Sequence, residues 1–260
     1  MTDMNPASPR QLPLRLSLND EATFDNFYAP VQDAGHELPA VMHLKQRLYQ
    51  WATAGEVVPQ QGTVLSDFTW LWGSQGAGCS HLLQAVSHQA DAAGLAVFYL
   101  DMAMLDELSP DILIGLEAMD VLCLDHIESV FGQAEWEQAL FHLYNRLVSE
   151  NTALLIAGQR SPAQCQLSLA DLQSRLQSAV VFHVPHLTDE QKVLALQMRA
   201  NRRGFELGSD VAEYLVRRCE RSTTTLFGIL QDLDQHSLAT RRKVTIPLLR
   251  TLLDEQEAAQ

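Results

Sequence analysis

Short apolar runs alternate with longer amphipathic stretches through the middle of the chain. Phe68–Trp72, Leu95–Leu100, Val121–Leu124, Leu154–Ala157 and Val180–Val184 read as strands. Their alternation with helical stretches predicts an α/β fold, a parallel sheet flanked by helices. Trp136, Leu140, Leu143, Tyr144 and Leu147 fall at i, i+4, i+7, i+8 and i+11, one apolar stripe on a helix that ends near Glu150. After Pro185 the pattern is purely helical. Thr188-Asp-Glu-Gln191 is a capping box that opens a helix to about Arg203, Gly204 stops it, and further helical stretches follow near 210–219, 222–240 and 245–256. The chain therefore divides into an α/β core over residues 23–185 and a small all-helical domain over 186–260. Residues 1–22 carry Pro6, Pro9 and Pro13 among polar residues with no helical period, which predicts a disordered tail.

Composition narrows the class without naming it. With 260 residues, 47% of them hydrophobic and 19% charged, the chain can bury a sizeable core. A net charge of −14 repels a phosphate backbone, so direct DNA binding is disfavoured. The one tight basic cluster, Arg241-Arg242-Lys243, either complements a helix dipole or marks a small patch. No apolar run is long enough for a bilayer and the N-terminus has no signal-peptide h-region, which predicts a cytoplasmic protein with no membrane contact. Cys79, Cys123, Cys165 and Cys219 show no C-x-x-C pairing and no histidine at metal-ligand spacing, so free thiols are expected and no metal site of the chain's own.

The chemistry is concentrated in Gly73-Ser-Gln-Gly76-Ala77-Gly78-Cys79-Ser80-His81. In a P-loop, glycine amides wrap the α- and β-phosphates, a lysine reaches the β- and γ-phosphates, and a hydroxyl ligates magnesium. Here the glycines and Ser80 fit, and an uncharged cysteine stands in the lysine's place. The run is fed by an apolar strand and left by a helical pattern (Leu82, Leu83, Val86), the context in which such a loop cradles phosphate. A plain Gly-rich strand-to-helix turn is the other reading. At a helix N-terminus Cys79 is also expected to be an acidic, reactive thiol.

A P-loop strand, one intervening strand, then an apolar strand ending in an aspartate, with a helical lid behind, resembles the AAA+ nucleotide-binding fold. Val121-Leu-Cys-Leu124-Asp125 then resembles a Walker B strand, whose carboxylate holds magnesium through water. Thr23-Phe-Asp-Asn-Phe27 resembles the segment that opens the ATPase domain of the DnaA family. The stretches Trp136…Phe141-His-Leu-Tyr144-Asn-Arg146-Leu, Leu172-Gln-Ser-Arg175-Leu, Arg203-Gly-Phe-Glu-Leu207 and Thr225-Leu-Phe227 are similar to the Hda branch of that family, the DnaA-homologous regulators. The chain also stops where that branch stops, directly after the lid and before any helix-turn-helix. The resemblance covers essentially the whole chain.

The resemblance implies a regulator of replication initiation and not an ATPase in its own right. Gln11-Leu12-Pro13-Leu14-Arg15-Leu16 resembles the motif with which the Hda branch docks on the β sliding clamp, a glutamine for a small polar pocket and leucines for an apolar groove. Arg175 falls where DnaA-type domains present an arginine finger to a neighbour's nucleotide. The implied activity is inhibition of DNA replication initiation, by promoting hydrolysis of ATP bound to DnaA. Partners would be the clamp and DnaA, with a homodimer left open. The implied ligand of Gly73, Gly76, Ala77, Gly78, Cys79, Ser80, His81 and Asp125 is ADP or another nucleoside diphosphate, with magnesium through Ser80 and Asp125 if one binds.

Three departures weaken the site as a hydrolase. Cys79 lacks any charge, His126 stands where an acidic residue would orient water, with Glu128 out of register, and Thr224 replaces the lid's sensor II arginine unless Arg221 is displaced into that role. The sensor I position falls at Gln159. An active AAA+ ATPase or helicase loader, and a degenerate clamp-loader-type subunit, are the rival functions.

Overall fold

A computed structural model describes residues 18–30, 37–53, 67–219, 222–240 and 244–258. Five strands form one wholly parallel sheet: β1 (Phe68–Trp72), β2 (Val97–Asp101), β3 (Val121–Asp125), β4 (Ala153–Gly158) and β5 (Val180–His183), in the order β2-β3-β4-β1-β5. Period-2 alternation sends their side chains to two cores. On one face Phe68, Trp70, Leu122, Leu124, Leu154 and Ile156 pack against α3 (Ala134–Glu150) and α4 (Ala170–Leu176). On the other, Leu71, Val121, Cys123, Leu155 and Ala157 meet α1 (Pro39–Thr53) and α2 (Cys79–Ala92). With helices on both faces, β3 and β4 are buried at every position, which is why they read as unbroken apolar runs.

The strand ends shift where polar groups intervene. β2 begins at Val97, two residues after the expected start, because Leu95 N–H still closes the end of α2 on Ala90 O, and Ala96 N–H is taken by the Asp120 carboxylate at 2.7 Å. β3 continues through Asp125. Between β2 and β3 the chain makes three 3₁₀ turns, Met102–Glu107, Pro110–Leu113 and Leu116–Ala118, too short to leave a helical period in the sequence.

The helical unit is α5 (Asp189–Arg202), α6 (Ser209–Arg218), α7 (Thr223–Thr240) and α8 (Ile246–Ala258), around Leu196, Leu215, Leu226, Leu230, Leu233 and Leu249. Thr188 and Gln191 form the capping box reciprocally, Gln191 N–H to Thr188 Oγ1 at 3.2 Å and Thr188 N–H to Gln191 Oε1 at 2.9 Å. Gly204 turns the chain after α5 with φ +86°. The residues just before position 22 already belong to the fold: Asn19 N–H donates to Gln84 at 3.0 Å, His88 donates to Asn19 O at 3.1 Å, and Ala22 is buried. Glu21 pairs with Arg203 of the helical unit.

Candidate nucleotide-binding cleft

A cleft of about 610 Å³ opens at the carboxyl ends of β1, β3 and β4, between the sheet and the helical unit. In parallel sheets this is where ligands sit, because loops and helix N-termini converge there. The loop Gly73–Ser80 forms its floor. Gly73 N–H reaches Gly158 O at 3.2 Å across to β4, and Ala77 N–H closes a turn on Ser74 O at 2.9 Å. Gly78 caps α2 at φ +105°, with no side chain bonded to the first-turn amides. A Cβ there would lie 2.7 Å from the Phe27 ring, and one at Gly73 would lie 2.5 Å from Val184 O. Two glycines are thus demanded by geometry, and the amides of Cys79, Ser80 and His81 begin a helix without intrahelical partners. The cradle fits a phosphate group. Thr223 of α7 closes it from the lid side, donating to Gly76 O at 2.5 Å.

Cys79 differs from the expectation. Its sulfur turns back toward the loop, about as close to Gly73 as contact allows, at 3.4 Å from a Cβ built there. Burial, followed by the nearby Asp125 carboxylate, pushes the thiol up to about 12. The helix N-terminus is outweighed by desolvation, so the thiol is protonated and inert, not acidic and reactive.

Asp125, the expected magnesium ligand, is engaged by the chain itself. Tyr99 Oη donates to Asp125 Oδ2 at 2.6 Å, and Gln84 Nε2 donates to Tyr99 Oη at 3.2 Å. Oδ1 accepts the His126 N–H at 2.9 Å. The His126 ring stands on a left-handed residue, φ 50°, with Nδ1 2.8 Å from Asp101 Oδ1 and 3.7 Å from Asp125 Oδ2. A carboxylate only accepts, so Nδ1 carries the proton. The hydrogen bond to Asp101 leads the causes that raise His126 to about 9, placing an imidazolium where a hydrolase carries its second acid. The Asp125 side chain is 2% exposed. A magnesium ion held through water does not fit this carboxylate as it stands, whereas the glycine cradle does fit phosphate. Among the described residues no cluster of three His, Cys, Asp or Glu could hold a metal.

The lid supplies a cation that sequence reading did not single out. Arg199 of α5 donates from Nε to Asn26 O at 3.1 Å and from Nη2 to His81 Nδ1 at 3.2 Å, with its guanidinium 3.6 Å from the Phe227 ring centre. His81 Nε2–H in turn donates to Thr23 O at 2.8 Å, which fixes the neutral tautomer. Burial first holds His81 down at about 4 and draws Arg199 down to about 10. One guanidinium therefore ties the segment at 23–26, the P-loop helix and the lid together. The signal was present: Lys192, Ala195, Leu196, Arg199 and Ala200 share one face of α5, so a charge interrupts the buried stripe.

Gly73, Gly76, Ala77, Gly78, Cys79, Ser80, His81 and Asp125 all line the cleft, as do His126, Gln159 and Thr224. Arg175 is absent from the described residues that line it. It sits on α4, half-buried, with its guanidinium 4.9 Å from the Phe141 ring centre and 5.4 Å from that of Tyr144. Both ends of α4 are pinned. The buried Glu137 accepts from Leu169 N–H and Gly132 N–H, each at 2.8 Å, and Ser178 Oγ donates to Arg175 O at 2.7 Å while bonding Tyr144 Oη at 3.1 Å. Gln11, Leu12, Leu14, Leu16 and Arg221 lie outside the described residues, as does the cluster at 241–243.

A five-stranded parallel sheet in this order, a glycine cradle after β1, an aspartate ending β3 and a four-helix lid define a P-loop protein of the AAA+ class. The bacterial DnaA ATPase-domain model matches residues 49–183, more than half of the chain, and the Hda lid-domain model matches residues 189–253. The chain belongs to the Hda/DnaA family of AAA+ proteins. Domain III of the Thermotoga maritima replication initiation protein DnaA superposes with a TM-score of 0.67 at 21% identity, covering 92% of this chain and 98% of that one. The replication initiator DnaA bound to AMPPCP and single-stranded DNA gives 0.65 at 20% identity, over 87% and 70% of the two chains. AMPPCP-bound DnaA from Aquifex aeolicus gives 0.64 at 20% identity, over 84% and 66%. At these identities the likeness is one of fold. No helix among the described residues is long and apolar enough to cross a membrane.

Proposed function

We propose that this protein is a negative regulator of replication initiation that promotes hydrolysis of ATP bound to DnaA, with Arg175 acting in trans as an arginine finger. The observation that carries the reading is a division of labour. The chain's own cleft keeps a phosphate cradle but has a buried neutral thiol at the lysine position, and Arg175 is held by pinned α4 away from that cleft. A guanidinium supplied to a neighbour's phosphoryl group stabilises transition-state charge and raises the rate by roughly 10³–10⁵. The cleft would hold ADP or another nucleoside diphosphate without turnover. The motif Gln11–Leu16 would bring the protein to the β sliding clamp. The deciding experiment measures hydrolysis of DnaA-bound ATP with and without this protein and a DNA-loaded clamp. Stimulation that needs both components is the expected result. Turnover by the isolated protein, abolished in Asp125→Asn, would instead establish an ATPase in its own right.

A further inference from the structure

The Walker B aspartate of a P-loop site normally faces the metal through an ordered water, and needs an accessible oxygen to do so. In this cleft each oxygen already accepts a hydrogen bond from the chain, and the side chain is all but closed to solvent. Oδ2 receives the Tyr99 hydroxyl from the neighbouring strand, and that hydroxyl is itself fixed by Gln84 from α2. Oδ1 receives the amide of His126, possible because residue 126 adopts the left-handed conformation and folds its N–H back. The imidazole then lies between Asp101 and Asp125, which face each other in register at the ends of β2 and β3. A second acidic residue at position 126 would have left two carboxylates facing the cleft. Instead a ring N–H bonds Asp101 and stands 3.7 Å from Asp125 Oδ2.

We infer that the cleft binds its nucleoside diphosphate without magnesium, the place of the metal at Asp125 being taken by the Tyr99 hydroxyl and the His126–Asp101 pair. This rests on the diphosphate reading of the cleft. The ligand's charge would be met by the amides that open α2 and by the glycine loop, neither of which requires a metal.

Calorimetric titration of the whole protein with ADP, in magnesium and again in EDTA, tests this directly. Equal affinity in the two buffers, or tighter binding in EDTA, is expected, and adding protein to manganese with ADP should release the metal and raise the sharp six-line electron spin resonance signal of free aqueous manganese. The double variant Tyr99→Phe, His126→Asn frees Asp125 Oδ2 while the backbone N–H of residue 126 still holds Oδ1, and its ADP affinity should become about tenfold tighter with magnesium than without, the scale on which metal sites respond to their surrounding hydrogen bonds. Parent binding that weakens about tenfold or more in EDTA would overturn the inference and leave the diphosphate reading intact. No ADP binding in either buffer would overturn both.

Discussion

Replacing Arg199 by alanine removes three attachments at once: the hydrogen bond to Asn26 O at 3.1 Å, the bond to His81 Nδ1 at 3.2 Å and the stack on Phe227 at 3.6 Å. A hydrogen bond from a charged donor is worth about 1.5–3 kcal/mol, and a cation over a partly desolvated ring about 0.5–2 kcal/mol. These groups share one side chain and do not add fully, so the loss should be about 3–5 kcal/mol. Against a total stability of about 5–15 kcal/mol that is large and easily read from the urea midpoint. A second readout separates this from generic damage. His81 is held down at about 4, so the unfolded chain takes up a proton near 6.5 while the folded one does not. Its contribution is therefore complete above pH 6.5 and is lost as pH falls toward 4. Without Arg199 the repulsion that helps hold His81 down is gone, and this acid-side loss should span a narrower pH range. A change below about 1 kcal/mol, with the acid limb unmoved, would refute the view of Arg199 as the pin between lid and core.

If Arg175 serves DnaA's nucleotide, Arg175→Ala should remove about 10³-fold or more of stimulated hydrolysis while costing about 0.5–1 kcal/mol of stability for the lost aromatic stack. Arg175→Lys should restore little, since lysine keeps the charge but loses the planar fork; parental rates in single turnover for both variants would remove the finger. Gln11, Leu14 and Leu16 changed together to alanine should abolish clamp binding by surface plasmon resonance with the melting temperature unchanged, and retained binding would place the contact elsewhere. Cys79 should react with iodoacetamide at pH 8 far more slowly in the folded protein than in urea, because burial pushes its thiol up to about 12; alkylation as fast in the folded protein as in urea would contradict the protonated thiol.

Much of the fold was legible because its strands are buried on both faces. Unbroken apolar runs such as Val121–Leu124 and Leu154–Ala157 mark central parallel strands, and the box at Thr188–Gln191 marks the first lid helix to within a residue. What stayed hidden has no local period. The 3₁₀ turns between 102 and 118 are three to six residues each, and α1 is placed by packing on the sheet through Leu44 and Leu48. In the site, glycine spacing revealed the cradle, because a backbone that must pass within 2.7 Å of Phe27 leaves only one residue type. Partners distant in sequence were not readable. Tyr99 and Asp125 are joined only through strand register, Arg199 and Asn26 only through lid closure, and the thiol of Cys79 depends on how deeply the loop is covered.

Polar groups at and beside the positions that depart from a hydrolytic site are engaged by bonds within the chain. His126, in place of an acid, pairs with Asp101; Asp125 is satisfied by Tyr99 and its own neighbour's amide; Thr223, beside the threonine at the sensor II position, fastens the lid to Gly76. Among the described residues no buried side-chain nitrogen or oxygen lacks a hydrogen-bond partner. Catalysis by electrostatic preorganisation requires the opposite, donors and acceptors kept for charge that develops on the substrate. A cleft whose polar groups are spent on one another forgoes that stabilisation and fixes the lid against the core. Rigid attachment is what an arginine presented to a neighbour needs, since a finger misplaced by about 1 Å can lose about a hundredfold in rate. On the proposed reading, an own site without turnover and the pinning of α4 by Glu137 and Ser178 serve the same end.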